Sequence, residues 1–573
     1  MRVTERLSST TVRKRQRRAD GRGRTDEASG SSGPSCPGSL IVVSNRQPYR
    51  HEYEDDASAA DANSASDDGS PPTGTDGGAR STADARSITV DEPTGGLTAG
   101  LDPVVKKTDG TWIAWGDGEA DFDVTDERNC VAVPPDEEAY TLRRLDLSEE
   151  AVDSYYYGFS NRVLWPLCHG FPDLIEDRSN DFEWYRTVNE RFAEAVADHA
   201  TDDSVIWLQD YHLALAPRMI RESVPAGATV AQFWHIPWPS PSTFRHCPAG
   251  GPVLEGLLGN DLLGFHVERY ADQFLDCVDR FLAGAAVDYA HRTVRYEGTT
   301  TRVVATPMGV DAESYDRGAR STDPDRLSDL FDEYGIQQGT MLGLGLDRLD
   351  YSKGIPERLA ALERFFERNP DWRGDFTFLQ KATPSRTEIE TYEQYGELVR
   401  SEVTRINRRF ETDEWQPIVY TEDVLPEEDL YALYRRADTM IVSPLIDGMN
   451  LVAQEYLAAS VDGDGTLLLS NRTGAHDRFG SHALTIDPTD VDGFASQLEH
   501  ALSMPPYERR RRMNTLRQRV FNGDIEAWMD TQFDWIRRVH GDRRTGDASA
   551  ENSAGSGSDT DSDSDSKEPT PPA

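Results

Sequence analysis

The sequence predicts an α/β protein made of two doubly wound, Rossmann-like domains facing each other across a cleft. Three observations predict it. Short apolar, β-branched runs alternate with helical stretches in two successive blocks, the pattern of parallel sheets with crossover helices. Polar residues follow those runs at their carboxyl ends, the edge at which open α/β sheets bind ligands. The chain has 573 residues, more than one hydrophobic core accommodates, so two large domains with tails is the natural division.

Taken in order, residues 1–38 are polar and Ser/Gly-rich with a basic cluster, Arg13-Lys14-Arg15-Gln16-Arg17-Arg18. They read as a disordered extension rather than a nucleic-acid arm. The first domain is expected over 39–325, opening with the strand Leu40-Ile41-Val42-Val43 and ending that strand in Ser44-Asn45-Arg46. Residues 51–87 hold almost no large apolar side chains and read as a disordered acidic insertion. Glycines cluster in Thr94-Gly95-Gly96-Leu97-Thr98-Ala99-Gly100, which lets a backbone loop approach a ligand. A strand follows at Trp112–Gly116, then an aromatic stretch from Tyr155 to Pro166 whose composition favours core. Further strands are expected at Val205–Leu208, Thr229–Phe233, Leu262–Phe265 and Val303–Ala305; Gln209-Asp210-Tyr211-His212 and His235-Ile236-Pro237 follow two of them.

A polar stretch from about Arg317 to Pro324 reads as an interdomain linker. The second domain is expected over 326–520, with strands at Met341–Leu344, Phe376–Leu379, Ile418–Tyr420, Met440–Val442, Leu467–Leu469 and Leu484–Ile486. Residues 521–540 form a helix expected to pack back on the first domain, anchored by Trp528, Phe533 and Trp535. Residues 541–573 read as a disordered acidic tail.

The formal charge is −41, from 101 acidic and 60 basic residues. So negative a surface repels nucleic acid and anionic membrane. It suits a salt-rich cytoplasm, because at about 1 M salt the Debye length falls to about 3 Å and self-repulsion is screened; a halophilic origin is the inference. The cysteines (Cys36, Cys130, Cys168, Cys247, Cys277) are scattered, which argues for a reducing compartment without disulfides or structural zinc. No apolar run is long enough to span a bilayer and no signal peptide is evident, so a cytoplasmic location is expected. Asp121-Phe122-Asp123 has the spacing of a metal-binding pair but lies in an acidic connection, and a surface position without metal is expected.

Three stretches concentrate the chemistry. Ser443–Tyr456 reads as strand end, tight turn and helix N-terminus, with Asp447 in the turn and Glu455 further along the helix; the helix N-terminus suits a phosphate. Arg348-Leu349-Asp350-Tyr351-Ser352-Lys353-Gly354 sets two cations at a strand end, as a diphosphate requires. Arg386 follows another strand end and suits a second anion.

Ser44-Asn45-Arg46, Gly95-Gly96-Leu97, Trp112-x-x-Trp115-Gly116, Phe159-Ser160-Asn161 with Leu164-Trp165-Pro166, Asp210-Tyr211-His212-Leu213, His235-Ile236-Pro237, the Arg348–Gly354 stretch and Asp447-Gly448-Met449-Asn450-Leu451-Val452 occur in that order, and the set resembles the trehalose-6-phosphate synthases, retaining glycosyltransferases of family 20. The resemblance covers about residues 40–540 apart from the insertion. It implies the GT-B arrangement and transfer of glucose from a nucleoside diphosphate glucose, UDP-glucose first, to glucose 6-phosphate, a reaction of trehalose biosynthesis and osmoprotection. On the donor side it implies that Arg348 and Lys353 hold the leaving diphosphate and Glu455 the ribose. Asp447, Gly448, Met449, Asn450, Leu451 and Val452 would hold the donor glucose, with His235 near its 6-hydroxyl and Gly96 in a lid. Arg348, Lys353, Asp447 and His235 are the catalytic candidates, Asp447 as a positioning group rather than a nucleophile. On the acceptor side it implies Arg46, Trp115, Tyr156, Trp165, Asp210 and Arg386. It implies no metal and no cofactor, the nucleotide sugar being a substrate, and a separate phosphatase to finish the pathway; a homo-oligomer is left open.

The chain departs from that pattern at Ile446, where Arg is frequent, at Gln454, where Lys is common, and at Gln209, where His is usual. The first two are expected to lie beside the donor and bear on nucleotide preference. Two alternatives remain: a sister synthase that uses glycerol 3-phosphate, and a non-catalytic sugar-phosphate sensor. A pyridoxal-phosphate phosphorylase would need a lysine motif that the sequence does not show.

Overall fold

The computed structural model describes residues 38–54, 86–92 and 96–554. The expected N-terminal extension, most of the acidic insertion, Thr94, Gly95 and the end of the tail lie outside them. From the amino end the strands are β1 (Leu40–Val43), β2 (Arg50–Tyr53), β3 (Ile88–Asp91), β4 (Thr111–Trp115), β5 (Cys130–Val133), β6 (Tyr140–Leu145), β7 (Val205–Gln209), β8 (Thr229–Trp234), β9 (Leu262–Phe265), β10 (Ala286–Asp288), β11 (Thr293–Tyr296) and β12 (Thr299–Ala305). The second block adds β13 (Met341–Arg348), β14 (Phe376–Thr383), β15 (Ile418–Thr421), β16 (Thr439–Val442), β17 (Thr466–Ser470) and β18 (Leu484–Ile486).

The first sheet runs β10-β11-β12-β9-β8-β7-β1-β4-β6-β5. Its interior pairings are parallel, and antiparallel pairs occur only toward the edges, β5 with β6 and β11 with β12 and β10. Every residue of β1, β7 and β8 is buried, as expected of strands covered on both faces. The second sheet is wholly parallel in the order β15-β14-β13-β16-β17-β18. Its order reverses between β13 and β16, and open sheets of this type bind ligands outside such a reversal.

The helices that matter for the site are α1 (Gly96–Thr108), α2 (Ala312–Ser321), α3 (Pro324–Glu333), α4 (Ile355–Arg368), α5 (Glu390–Phe410), α6 (Leu451–Ala459), α7 (Gly474–Phe479) and α8 (Ile525–Ala554). Gly354 sets the direction of α4: its φ is 64°, and a Cβ there would lie 2.3 Å from the Ser443 carbonyl oxygen. Only glycine accepts both conditions. α8 returns to the first sheet, where Ile525, Trp528, Met529, Phe533 and Ile536 are buried with Trp207 and Phe233. The Trp528 ring meets that of Phe233 edge-on at 5.1 Å, and its Nε1 donates to the Thr306 carbonyl at 3.2 Å. No described helix is long and apolar enough to cross a membrane.

The structure corrects several expectations. The insertion was expected from His51, yet Arg50–Tyr53 forms β2 and pairs antiparallel with β3. His51 is buried there because its Nδ1 meets the buried guanidinium of Arg144 at 2.8 Å. The same guanidinium explains Asp121, which is fully buried rather than at the surface and pairs with Arg144 Nη2 at 3.1 Å. The expected linker is α2 and the start of α3. α2 is capped by Asp311, which accepts from Ser314 N at 2.9 Å, and buries Ala312 and Ala319 against the core of the second sheet. Small alanines carry that contact, so hydropathy alone passes over it. The glycine cluster is not all loop, since α1 begins at Gly96. α8 runs past residue 541 to Ala554, a helix propagating one hydrogen bond at a time from its packed start.

Candidate active site

The turn from β13 to α4 is built around Asp350, which is fully buried. Its Oδ1 accepts from Ser352 N at 3.0 Å and Ser352 Oγ at 2.8 Å. Its Oδ2 lies 3.0 Å from Arg386 Nη1 and 3.7 Å from Arg348 Nη2. Burial opposes its charge, but Arg386, Arg348 and Lys353 outweigh burial and hold the carboxyl well below the usual carboxylate range. The sequence assigns Asp350 no role beyond its place in the Arg348–Gly354 motif, because the partner that defines it, Arg386, lies 36 residues further on.

Arg386 has a left-handed backbone, φ 50°, and a nearly buried side chain. Its guanidinium stands 3.8 Å from the centre of the Trp165 ring, donates to Tyr392 Oη at 2.7 Å and reaches Tyr211 Oη at 3.4 Å. Arg348 lies over the same indole at 5.4 Å. Trp165 therefore belongs to the first domain but is covered by two cations of the second, a cation–π arrangement that ties the two halves together. Tyr156 stands at the same place: its ring stacks on His212 at 5.7 Å and tilts against Trp115 at 5.9 Å. Burial would raise its hydroxyl, but Arg386, Arg46 and Arg348 lower it below the ordinary phenol value, and Arg46 shares a hydrogen bond with it. Arg46 itself is exposed at the end of β1. Among the buried side-chain atoms without a partner are Trp165 Nε1, Arg386 Nε, His212 Nε2 and Gln209 Nε2. Buried polar atoms left without partners mark where a ligand supplies them.

Asp210 follows β7 with φ 68° and accepts from the backbone N–H of His235 at 3.1 Å. Burial raises its carboxyl to about 7, against the opposing pull of the Tyr211 and His235 backbone N–H groups and of Arg386 and Arg46. His235 follows β8; burial, and then the neighbouring His266, hold it well below the ordinary histidine value, so the imidazole is neutral. His169 stacks on Trp165 at 4.1 Å and is lowered to about 4 by burial.

The turn after β16 supplies Asp447. Lys353 Nζ donates to its Oδ2 at 2.6 Å and Asn450 Nδ2 at 3.1 Å. Burial works against the charge, but the Lys353 ammonium prevails and the carboxyl sits below its ordinary value. Asn450, at φ 68°, caps α6 by accepting from Ala453 N at 3.1 Å. Met449 is buried, and its carbonyl accepts from Ala475 N at 2.9 Å, which fixes the turn against α7. From the first domain, Tyr270 Oη donates to the Asp447 carbonyl at 2.9 Å. A Cβ on Gly448 would stand 2.2 Å from the His235 carbonyl oxygen, so this turn lies directly on the opposite domain. Leu451 and Val452 are half-buried at the start of α6.

Two facing α/β domains thus bring cations, indoles and a capped helix to one cleft. A sequence model of "Glycosyltransferase family 20" matches residues 74–538. The chain belongs to glycosyltransferase family 20. The relatives agree. A trehalose-6-phosphate synthase of Mycolicibacterium smegmatis is 39% identical over 446 residues, 76% of this chain and 85% of that one. A bifunctional trehalose-6-phosphate synthase/phosphatase of Thermoproteus tenax is 36% identical over 440 residues, 76% of this chain; the match spans 57% of that longer protein. A solved α,α-trehalose-phosphate synthase (UDP-forming) from Burkholderia xenovorans, in complex with glucose-6-phosphate, superposes with a TM-score of 0.72 at 30% identity, covering 87% of this chain and 100% of the other. The two-domain fold of this family-20 chain is the GT-B arrangement.

Within that family frame, most of the expected residues converge: Arg348, Lys353, Arg386, Trp165, Tyr156, Trp115, Asp210, His235 and Asp447 are linked by the contacts above. Glu455 stands one step aside, half-buried on α6, where Tyr434 Oη donates to its Oε2 at 2.8 Å. Gly96 opens α1. Gln454 does not lie beside a ligand as expected. It is fully buried, its Nε2 donating to the Met308 carbonyl at 3.0 Å and its Oε1 accepting from Arg478 Nη1 at 3.0 Å. On a helix, adjacent residues face different sides, so Glu455 and Gln454 part company. Among the described residues no group of three or more His, Cys, Asp or Glu is placed to hold a metal ion.

Proposed function

We propose that this chain is an α,α-trehalose-phosphate synthase that transfers glucose, with retention, from UDP-glucose to glucose 6-phosphate. The observation that carries the reading is the convergence of Arg46, Arg348 and Arg386 on Tyr156 and Trp165 at the mouth of two facing sheets. One end of that cationic surface suits the acceptor's phosphate, held by Arg46 and Arg386 beside Tyr156. The Trp115 indole offers a face to a sugar ring, the unpartnered Trp165 Nε1 donates to it, and Asp210 accepts its hydroxyls.

The other end suits the donor. Arg348 and Lys353 take up the negative charge that grows on the departing diphosphate, and preorganised cations in a dry cleft are most effective there. Asp447 and the N-terminus of α6 orient the donor glucose, with His235 across the interface, while Glu455 holds the ribose. Asp447 is pinned by Lys353 and Asn450, which supports an orienting role. The departing phosphate oxygen receives the proton of the attacking hydroxyl, so no protein carboxylate need attack the anomeric carbon. The product is a phosphate monoester, and release of the free disaccharide calls for a phosphatase.

Purified protein in high salt, assayed by mass spectrometry with UDP-, GDP- and ADP-glucose against glucose 6-phosphate and glycerol 3-phosphate, tests the reading. A disaccharide phosphate from UDP-glucose and glucose 6-phosphate is expected. Glucosylglycerol phosphate in its place would make the chain a sister synthase, and binding without any product would make it a sensor.

A further inference from the structure

β7 ends in Gln209, whose side chain is buried where the strand opens on the cleft. Its Oε1 lies 3.0 Å from His235 Nε2. Its amide nitrogen has no partner although it is buried. A buried donor left unsatisfied costs roughly 1–3 kcal/mol, and such groups persist where a ligand completes them. The other groups around His235 are occupied. Asp210 Oδ1 takes the His235 backbone N–H at 3.1 Å, His266 Nδ1 accepts from Met308 N at 3.4 Å, and the rings of Phe233 and Trp528 flank the imidazole at 4.7 Å and 6.4 Å. Among the described residues no side chain or backbone group bonds to His235 Nδ1.

A neutral imidazole carries one ring proton, and the partner of one nitrogen decides which nitrogen holds it. A carbonyl oxygen facing Nε2 draws the proton there and leaves Nδ1 as a lone pair. The orientation seen leaves the amide N–H donors of Gln209 for a ligand.

We propose that Gln209 is the positioning residue of the donor sugar: it holds His235 in the Nε2–H tautomer, so that Nδ1 accepts a hydroxyl of the bound glucose while the Gln209 amide N–H donates to the same ligand. The inference rests on the donor-side reading of His235 given above. It makes His235 an acceptor toward the sugar and gives the cleft a matched pair, one acceptor and one donor, on adjacent strands.

Two-bond ¹⁵N–¹H correlation spectra of the full chain with labelled histidine, with His235→Gln to identify the signals, read the tautomer without any turnover. The Nε2–H pattern is expected for His235; the Nδ1–H pattern overturns the proposal. In Gln209→Leu the KM for UDP-glucose should rise roughly fivefold to tenfold, the loss of one to two hydrogen bonds, with the KM for glucose 6-phosphate unchanged and the His235 signals shifted from the Nε2–H pattern. An unchanged donor KM, or equal rises for both substrates, overturns it. If the wild-type chain turned over neither substrate pair, the proposed reaction would fall, while the tautomer measurement would still decide the part played by Gln209.

Discussion

At the scale of single residues, the site is a set of charges that only make sense together. Asp350 satisfies Arg386 and Arg348 at once, and Asp447 does the same for Lys353. Removing the Arg386 guanidinium deletes one phosphate contact and a lid over Trp165. Arg386→Ala should raise the KM for glucose 6-phosphate roughly 10- to 100-fold, the size of a charged hydrogen bond or two, and leave the UDP-glucose KM nearly unchanged. Steady-state kinetics with each substrate varied in turn checks this, and a change confined to the donor would reverse the two subsites. Asp210 gives a pH dependence. With its carboxyl raised to about 7, it is protonated below neutrality and cannot accept two sugar hydroxyls. kcat/KM for the acceptor should therefore climb as pH rises through about 7, and Asp210→Asn should flatten that limb at a lower level. The stability sign is opposite: the folded state holds this proton more tightly, so the contribution of Asp210 is full at acid pH and is lost as pH rises through about 7.

At the scale of elements, the strands were legible because burial on both faces leaves β1 an unbroken apolar run and β7, β8 and β16 largely apolar ones. The cations after β13 and β14 were legible for the same reason, since a strand end in such a sheet announces the binding edge. β2 was not. Arg50-His51-Glu52-Tyr53 looks solvated until Arg144, far along the chain, is placed beneath it. α2 hid behind alanines, and the tasks of Asp350 and Gln209 depend on partners that no local pattern reveals. Helix pairing makes its own prediction. Glu363 of α4 receives both Nη1 and Nη2 of Arg405 at 2.7 Å and Arg409 Nη1 at 2.7 Å, joining α4 to α5. The Arg405 bonds, aided by Arg409, lower its carboxyl to about 2. Its stabilising effect is thus present above the ordinary glutamate range and lost as pH falls toward about 2. Glu363→Gln should lower stability by about 1 kcal/mol at neutral pH, since solvent screens the half-exposed arginines, and by less in acid; urea titrations at pH 7 and pH 3 read the difference.

At the scale of the whole molecule, activity depends on how closely the two domains meet. The Cβ of an alanine at 448 would sit 2.2 Å from the His235 carbonyl oxygen, so the halves must part. Gly448→Ala should lower kcat roughly 10- to 100-fold, because a misplacement of about 1 Å has that effect, with a larger radius of gyration in solution scattering. A net charge of −41 makes the fold salt-dependent. Raising KCl from about 0.1 M to about 2 M should lift the Tm by several degrees as repulsion is screened, and a Tm that fell over that range would count against a salt-rich setting. α8 carries a last consequence. Its buried stripe of Trp528, Met529, Phe533 and Ile536 completes the core around Trp207 and Phe233, residues made some three hundred positions earlier. The domain that leaves the ribosome first is therefore the last to close. A chain cut before Ile525 would leave Trp207 and Phe233 uncovered and so cripple the half of the enzyme that is made first.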